Sequence, residues 1–268
     1  MTNPATVLSI ALVLGTTVLV LGARTQAAPM PITQCPQTIS QPGAYRVENN
    51  LTATGTCLTI TTDFVTIDLA GFSMSGNGSG RGIVTNVPGF RGIGVRNGSI
   101  SNFFDGIVLE QAVGYIIEGL RVFNTQGAGI SAGPPPGIVR DNVTVDTRGG
   151  GIIATGTIIN NVVNAGNDAT GIMAGQFSVV TGNTVSNVGF GIFGGSAVIS
   201  GNSVGDNSRT GISAEAGSTL IGNSVRRNAQ NGFDVACPSN LTDNTAVENG
   251  TNIVLEGDGC HTEDNVAP

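Results

Sequence analysis

Residues 171–190, GIMAGQFSVVTGNTVSNVGF, and residues 191–210, GIFGGSAVISGNSVGDNSRT, are one 20-residue unit written twice. Each copy opens with Gly-Ile, passes through a short apolar run to Gly-Asn, and places a Val two residues beyond that Asn. The unit recurs in both directions. Its opening apolar residue is Ile107, Ile130, Ile152, Ile172, Ile192, Ile212, Phe233 and Ile253, at successive spacings of 23, 22, 20, 20, 20, 21 and 20. A second register, Asn142, Asn161, Asn183, Asn202, Asn223, Asn244 and Asn265, carries Val145, Val163, Val185, Val204, Val225 and Val247 just downstream of all but its last member. A fixed period of this length is the signature of a repeat architecture.

A unit this short cannot bury an apolar face of its own, so the period predicts a solenoid whose neighbouring coils cover one another. Strand alternation points Ile172 and Ala174 inward and Met173 outward. Val179-Val180-Thr181 and Thr184-Val185-Ser186 read as a second and a third short strand. The Asn between them is expected at a tight bend, as a residue that tolerates the left-handed conformation, with its amide stacked on those of adjacent coils. Such stacking satisfies amides that burial would otherwise leave unpaired.

The G-I-x-x units with I-x-G-N-x-V resemble the right-handed parallel β-helix repeats of the pectate-lyase-like superfamily, in which an Asn ladder occupies one turn. Gly43-Ala44-Tyr45 and the stretch from Phe64 to Phe72, FVTIDLAGF, resemble the amino-terminal portion of its secreted bacterial members. The resemblance covers roughly residues 40–268 and implies an all-β solenoid of about ten coils with an Asn ladder. It fixes no activity, because one fold of this kind hosts many.

With 41 Gly, 4% aromatic and 11% charged residues against 40% hydrophobic, the 268-residue chain reads as one elongated domain. Every basic residue is Arg, and 18 acids against 11 Arg give a net charge of −7. That balance speaks against nucleic acid as a partner, since phosphates need basic patches. It also disfavours polyanions such as pectate unless calcium bridges the two.

Residues 7–23, VLSIALVLGTTVLVLGA, precede Arg24 and the small residues Ala27 and Ala28. They predict a signal peptide over residues 1–28, cut near Ala27 or Ala28, although residues 1–6 hold no Lys or Arg. An uncleaved membrane anchor is the alternative, and the run is short for spanning. A secreted, periplasmic or cell-surface location follows. Residues 29–56 read as an amino-terminal cap and 57–268 as the β-helix domain. The 4 cysteines fit an exported chain. Of their connectivities, Cys35–Cys57 and Cys237–Cys260 are favoured because each pair is separated by about one coil; free buried thiols are the alternative.

In lyases and hydrolases of the superfamily the site lies on the outer face of the strand that here begins Gly-Ile. The outward residues of that strand are Val108, Ser131, Ile153, Met173, Phe193, Ser213, Asp234 and Val254, which is mostly apolar. The superfamily signatures N-T-D, D-D, G-H-G, R-I-K and D-P-H are missing, and the single His, His261, lies near the end of the chain. Asp68 reads as a structural acid beside a turn. Glu215, Asp234 and Glu256 are expected to stack within reach of one another, as a pair of acids for catalysis or as calcium ligands. Arg209, Arg226 and Arg227 lie around the same coils. The row Ile153, Met173 and Phe193 is expected to contact the Pro134 loop, a protein partner or a polysaccharide.

Three functions remain. The leading one is a secreted, non-catalytic β-helix protein acting through surface binding or cell-envelope contact. The second is a polysaccharide lyase or hydrolase using Glu215, Asp234 and Glu256. The third is a periplasmic accessory protein resembling NosD, a reading that finds no cluster of metal-ligating residue types in the sequence.

Overall fold

The computed structural model describes residues 28–268. The apolar run assigned to a signal peptide or anchor falls outside them. Among the described residues every regular element is a strand, from Met30–Ile32 to His261–Glu263. One face of the solenoid is an 11-stranded parallel sheet running from Gln37–Ile39 to Thr251–Glu256, one coil more than the sequence suggested. The other two faces share a 20-stranded sheet, joined by Gly94–Ser101 and Tyr115–Thr125, which run through the bend between them. In each coil the chain runs along the first face, then the second, bends at the Asn position, and returns along the third. In the coil opening at Ile172 the second and third strands are Val179–Thr181 and Thr184–Ser186, where the sequence places them.

Both sequence ladders have a physical cause, and they meet in the core. Ile130, Ile152, Ile172, Ile192 and Ile212 stack in register and are fully or almost fully buried. The Gly before each Ile also faces inward: a Cβ on Gly171 would collide with the Val185 side chain, and one on Gly191 would lie 2.5 Å from Val204 Cγ1. The Gly of Gly-Ile and the Val of Asn-x-Val are therefore contact partners across the coil. Only a residue without a side chain lets the two faces approach this closely.

The Asn bend differs in one respect from the expectation. The left-handed residue is the one before each ladder Asn, namely Asp141, Asn160, Gly182, Gly201, Gly222, Asp243 and Asp264. With the turn made there, the Asn side chain projects into the interior. Asn183 Nδ2 donates to Asn202 Oδ1 at 3.0 Å and to the Ile158 carbonyl at 2.9 Å. Its Oδ1 accepts the backbone N–H and the amide of Asn161. This pattern continues from Asn142 to Asn265.

Two further corners are stitched in the same way, and the sequence reading passed over both. Between the third and first faces, Asn207 Nδ2 donates to Asn228 Oδ1 and Asn228 Nδ2 to Asn249 Oδ1, each at 2.8 Å. Between the first and second faces, Ser218 Oγ accepts the Ala197 N–H and Ser239 Oγ the Ser218 N–H, both at 3.2 Å.

Residues 29–56 carry Met30–Ile32, Gln37–Ile39, Gly43–Val47 and Leu51–Thr52, which pair within the solenoid at its amino-terminal end. Both favoured disulfides are present. Cys35–Cys57 spans 4.7 Å between Cα atoms and Cys237–Cys260 spans 4.9 Å, one at each end of the stack. Pro134, Pro135 and Pro136 make no long loop. They occupy a short exposed turn between Ala128–Ala132 and Gly137–Arg140, tied to the preceding coil by the Gly114 N–H on the Pro136 carbonyl at 2.6 Å.

Tyr115 is the largest fully buried side chain. Its ring lies against Gly137, and its hydroxyl donates to the Thr155 carbonyl, with the Gly133 carbonyl 3.1 Å away. Burial pushes its pKa up to about 12, above the ordinary value of 10.0. The neutral form is thus favoured by folding, and stability present below pH 10 is lost as the pH rises toward 12. Tyr45 is shifted in the same direction, also by burial. Because the chain contains no Lys, the tyrosines dominate this window. Urea unfolding should show a loss on the order of 2 kcal/mol across it, and the slope should shrink in Tyr115→Phe. An unchanged slope in that variant would refute the assignment.

The ladder makes a separate prediction. Asn183→Ala removes the acceptor of the buried Asn161 backbone N–H and of one Asn161 amide hydrogen, and should cost about 3 kcal/mol in urea unfolding. Gly191→Ala, which overpacks the core against Val204, should cost about 1 to 3 kcal/mol. A change within about 0.5 kcal/mol for either would contradict this account of the repeat.

Candidate functional site

The alternation of the first face decides which side chains reach solvent. Ile153, Met173, Phe193, Ser213, Asp234 and Val254 are successive register partners on its outer surface. Met173 is 41% exposed, and Ile153 and Phe193 are half-buried. Val108 belongs to the same row and alternation reads it as outward, but it is only 3% exposed.

Phe177 extends this apolar surface and was not found in the sequence. It sits on the turn after Gly166–Ala174, is 80% exposed, and holds φ of 61°. The equivalent turn positions in the two following coils are taken by Ser196 and Gly217, both with positive φ. A bulky aromatic in the left-handed region is a costly choice. The signal available in the sequence was an aromatic where the other copies place small residues.

At the carboxy-terminal end of the row, Glu215, Asp234 and Glu256 do come together. With Phe193, Ser213, Ala214 and Ala236 they line a shallow groove of about 190 Å³. The Glu215 N–H donates to the Gly194 carbonyl at 2.9 Å, and its carboxylate lies over the bare Cα of Gly195. Asp234 accepts a hydrogen bond from Asn231 Nδ2 at 3.1 Å. Glu256 is the register partner of Ala236, so it stands two coils from Glu215, roughly 10 Å along the axis. Among the described residues no group of three His, Cys, Asp or Glu is placed to hold a metal ion.

The nearby arginines are engaged elsewhere. Arg209 lies over the Phe190 ring, 5.1 Å from its centroid. Arg227 pairs with Asp206 at 2.7 Å and holds that carboxyl below its ordinary range. Asp68 is structural, as expected, since it accepts the Ala70 N–H at 2.8 Å and pairs with Arg96 at 3.2 Å. His261 is exposed on the second face, 3.4 Å from Glu263, and does not belong to the groove.

The chain was compared with known proteins. The family model described as periplasmic copper-binding protein (NosD) matches residues 59–258. No curated protein matches the sequence. Among solved structures, the Azotobacter vinelandii mannuronan C-5 epimerase AlgE4 A-module is 17% identical, with a TM-score of 0.56 over 86% of each chain. The AlgE6 A-module from the same organism is 13% identical, with a TM-score of 0.52 over 87% of this chain and 91% of that one. A complex of XylC with xylose is 11% identical, with a TM-score of 0.57 over 73% of this chain and 44% of that one. At these identities the structural likeness establishes the parallel β-helix fold.

The groove depends on the last coil. Thr251–Glu256 pairs with Asn231–Ala236 and has no strand on its other side among the described residues, and the Cys237–Cys260 bridge ties it down. Replacing both cysteines by Ser should cost about 3 kcal/mol. In hydrogen exchange, residues 251–263 should lose protection while residues 171–210 keep theirs. Equal loss in both regions would show that the bridge serves the whole stack instead.

Proposed function

The chain belongs to the family described as periplasmic copper-binding protein (NosD), and we propose that it resides in the periplasm and binds an extended polysaccharide there without cleaving it. Two disulfides support an oxidising, extracytoplasmic setting. One observation carries the binding reading: the apolar row Ile153, Met173 and Phe193 leads directly into the groove of Glu215, Asp234 and Glu256. It runs along the axis, so a ligand lying on it crosses one strand about every 4.8 Å. Exposed Met173 and Phe177 offer apolar contact to the faces of sugar rings, and exposed apolar surface of this kind marks contact sites.

Charge narrows the ligand. The chain carries −7 overall and three carboxylates in the groove, so a neutral glycan is favoured over a uronate polymer. Calcium bridging the groove acids to a uronate is the one arrangement that would reverse this preference.

The groove itself supports a second reading as a polysaccharide lyase or hydrolase. Glu215 and Asp234 stand on adjacent coils, a separation compatible with two carboxyl groups flanking a glycosidic bond. Affinity electrophoresis of the full chain in neutral and acidic polysaccharides, with and without calcium, should show retardation by a neutral polymer. Met173→Ala and Phe193→Ala should each weaken it about tenfold, or 1.4 kcal/mol. Retardation unchanged in both variants would reject the row as the binding surface. New reducing or unsaturated ends that vanish in Asp234→Asn would replace the binding reading with the enzymatic one.

A further inference from the structure

The donor chemistry of the chain disagrees with the metal in its family's description, and we infer that the folded, disulfide-bonded protein holds no copper on its own side chains. Copper(I) selects thiolate and thioether sulfur, and copper(II) adds imidazole, so a copper site needs several such groups converging on one point. The whole sequence supplies one His, four Cys and four Met.

The sulfurs are already engaged or isolated. All four Cys are in the two disulfides, one at each end of the stack, and no free cysteine remains. A cysteine ligates a metal as its thiolate, which neither bridge offers. Met74 is 1% exposed, packed in the core of the third face. Met30 lies on the strand at the amino-terminal end, its terminal methyl against Gly43. Met173 is exposed on the first face but has Ile153 and Phe193 as its register neighbours.

The single imidazole does not rescue a site. His261 is on the last coil and the second face, with Glu263 beside it. Met173 lies on the first face four coils earlier, roughly 19 Å away along the axis. Among the described residues, therefore, no two unbridged soft donors share a coil face or neighbouring coils. The stacking that defines the family uses the inward residues, whereas metal ligands would have to occupy outward ones, so the fold is retained here without the donor set.

The test uses the full chain with both disulfides intact, equilibrated separately with copper(II) and, under anaerobic conditions, with copper(I) held by a competing chromophoric chelator. Copper per protein is read by atomic absorption, and the thermal midpoint is followed in parallel, because a ligand bound to the folded state raises it. The expected result is no saturable copper, no shift in midpoint, and the same outcome for His261→Ala and Met173→Ala. One retained equivalent of either ion, accompanied by a rise in midpoint, overturns the inference, and loss of that equivalent in one variant would locate the site. Polysaccharide binding does not enter either readout, so the two proposals fail independently.

Discussion

In-register stacking of identical positions is the constraint on which this structure depends. Each coil offers backbone donors and acceptors on both edges, and only an equivalent coil presents the complementary set at the same spacing. Backbone pairing handles the strands. The corners, where the chain bends and pairing lapses, are the weak points, and side chains take over there. Asn142 to Asn265, Asn207 to Asn249 and the serines from Ser178 to Ser239 repeat the backbone's own donor and acceptor pattern at the corners. Because each amide both donates and accepts along the axis, buried polar groups become part of the stacking rather than a cost against it.

Such an arrangement has ends, and the ends lack what the middle has. Among the described residues the first and last coils each stack on one side only, with less pairing and less buried apolar surface than the middle coils. Exposed Leu255 and Val266 at the carboxy-terminal end show the consequence. The two disulfides lie at these places, linking each terminal coil to its inner neighbour. Covalent links act most where noncovalent cooperation is weakest, which explains why a chain with four cysteines places none of them in the regular centre.

What could be read from the sequence follows the same division between inside and outside. Ile172, Ala174, Val185 and Asn183 repeat because each must fit the residue above and below, so their period exposed the coil length, the strands and the Asn ladder. The Asn207 column escaped notice because it begins only in the later coils; Val188 fills the corresponding corner in the coil before. The left-handed residue was assigned one position late, since Asn, Asp and Gly all tolerate that conformation and sequence alone does not separate the turn residue from its neighbour. The stripe was legible in outline through alternation. Its limits were not, because the burial of Val108 and the exposure of Phe177 depend on the course of the turns, which the repeat does not specify.

The outward residues are free of the stacking rule, and this bears on how family membership relates to function. A position such as Met173 or Asp234 can change without disturbing the column beneath it, as the sequence Ser131, Ile153, Met173, Phe193, Ser213, Asp234 along one row demonstrates. A family defined by the inward pattern therefore transmits the scaffold faithfully and the ligand loosely. In this chain the outward row has become an apolar track ending in carboxylates, and the groups that metal binding would require are structural, buried or far apart. The surface that solvent sees, not the column that holds the coils together, is where what this protein binds is decided.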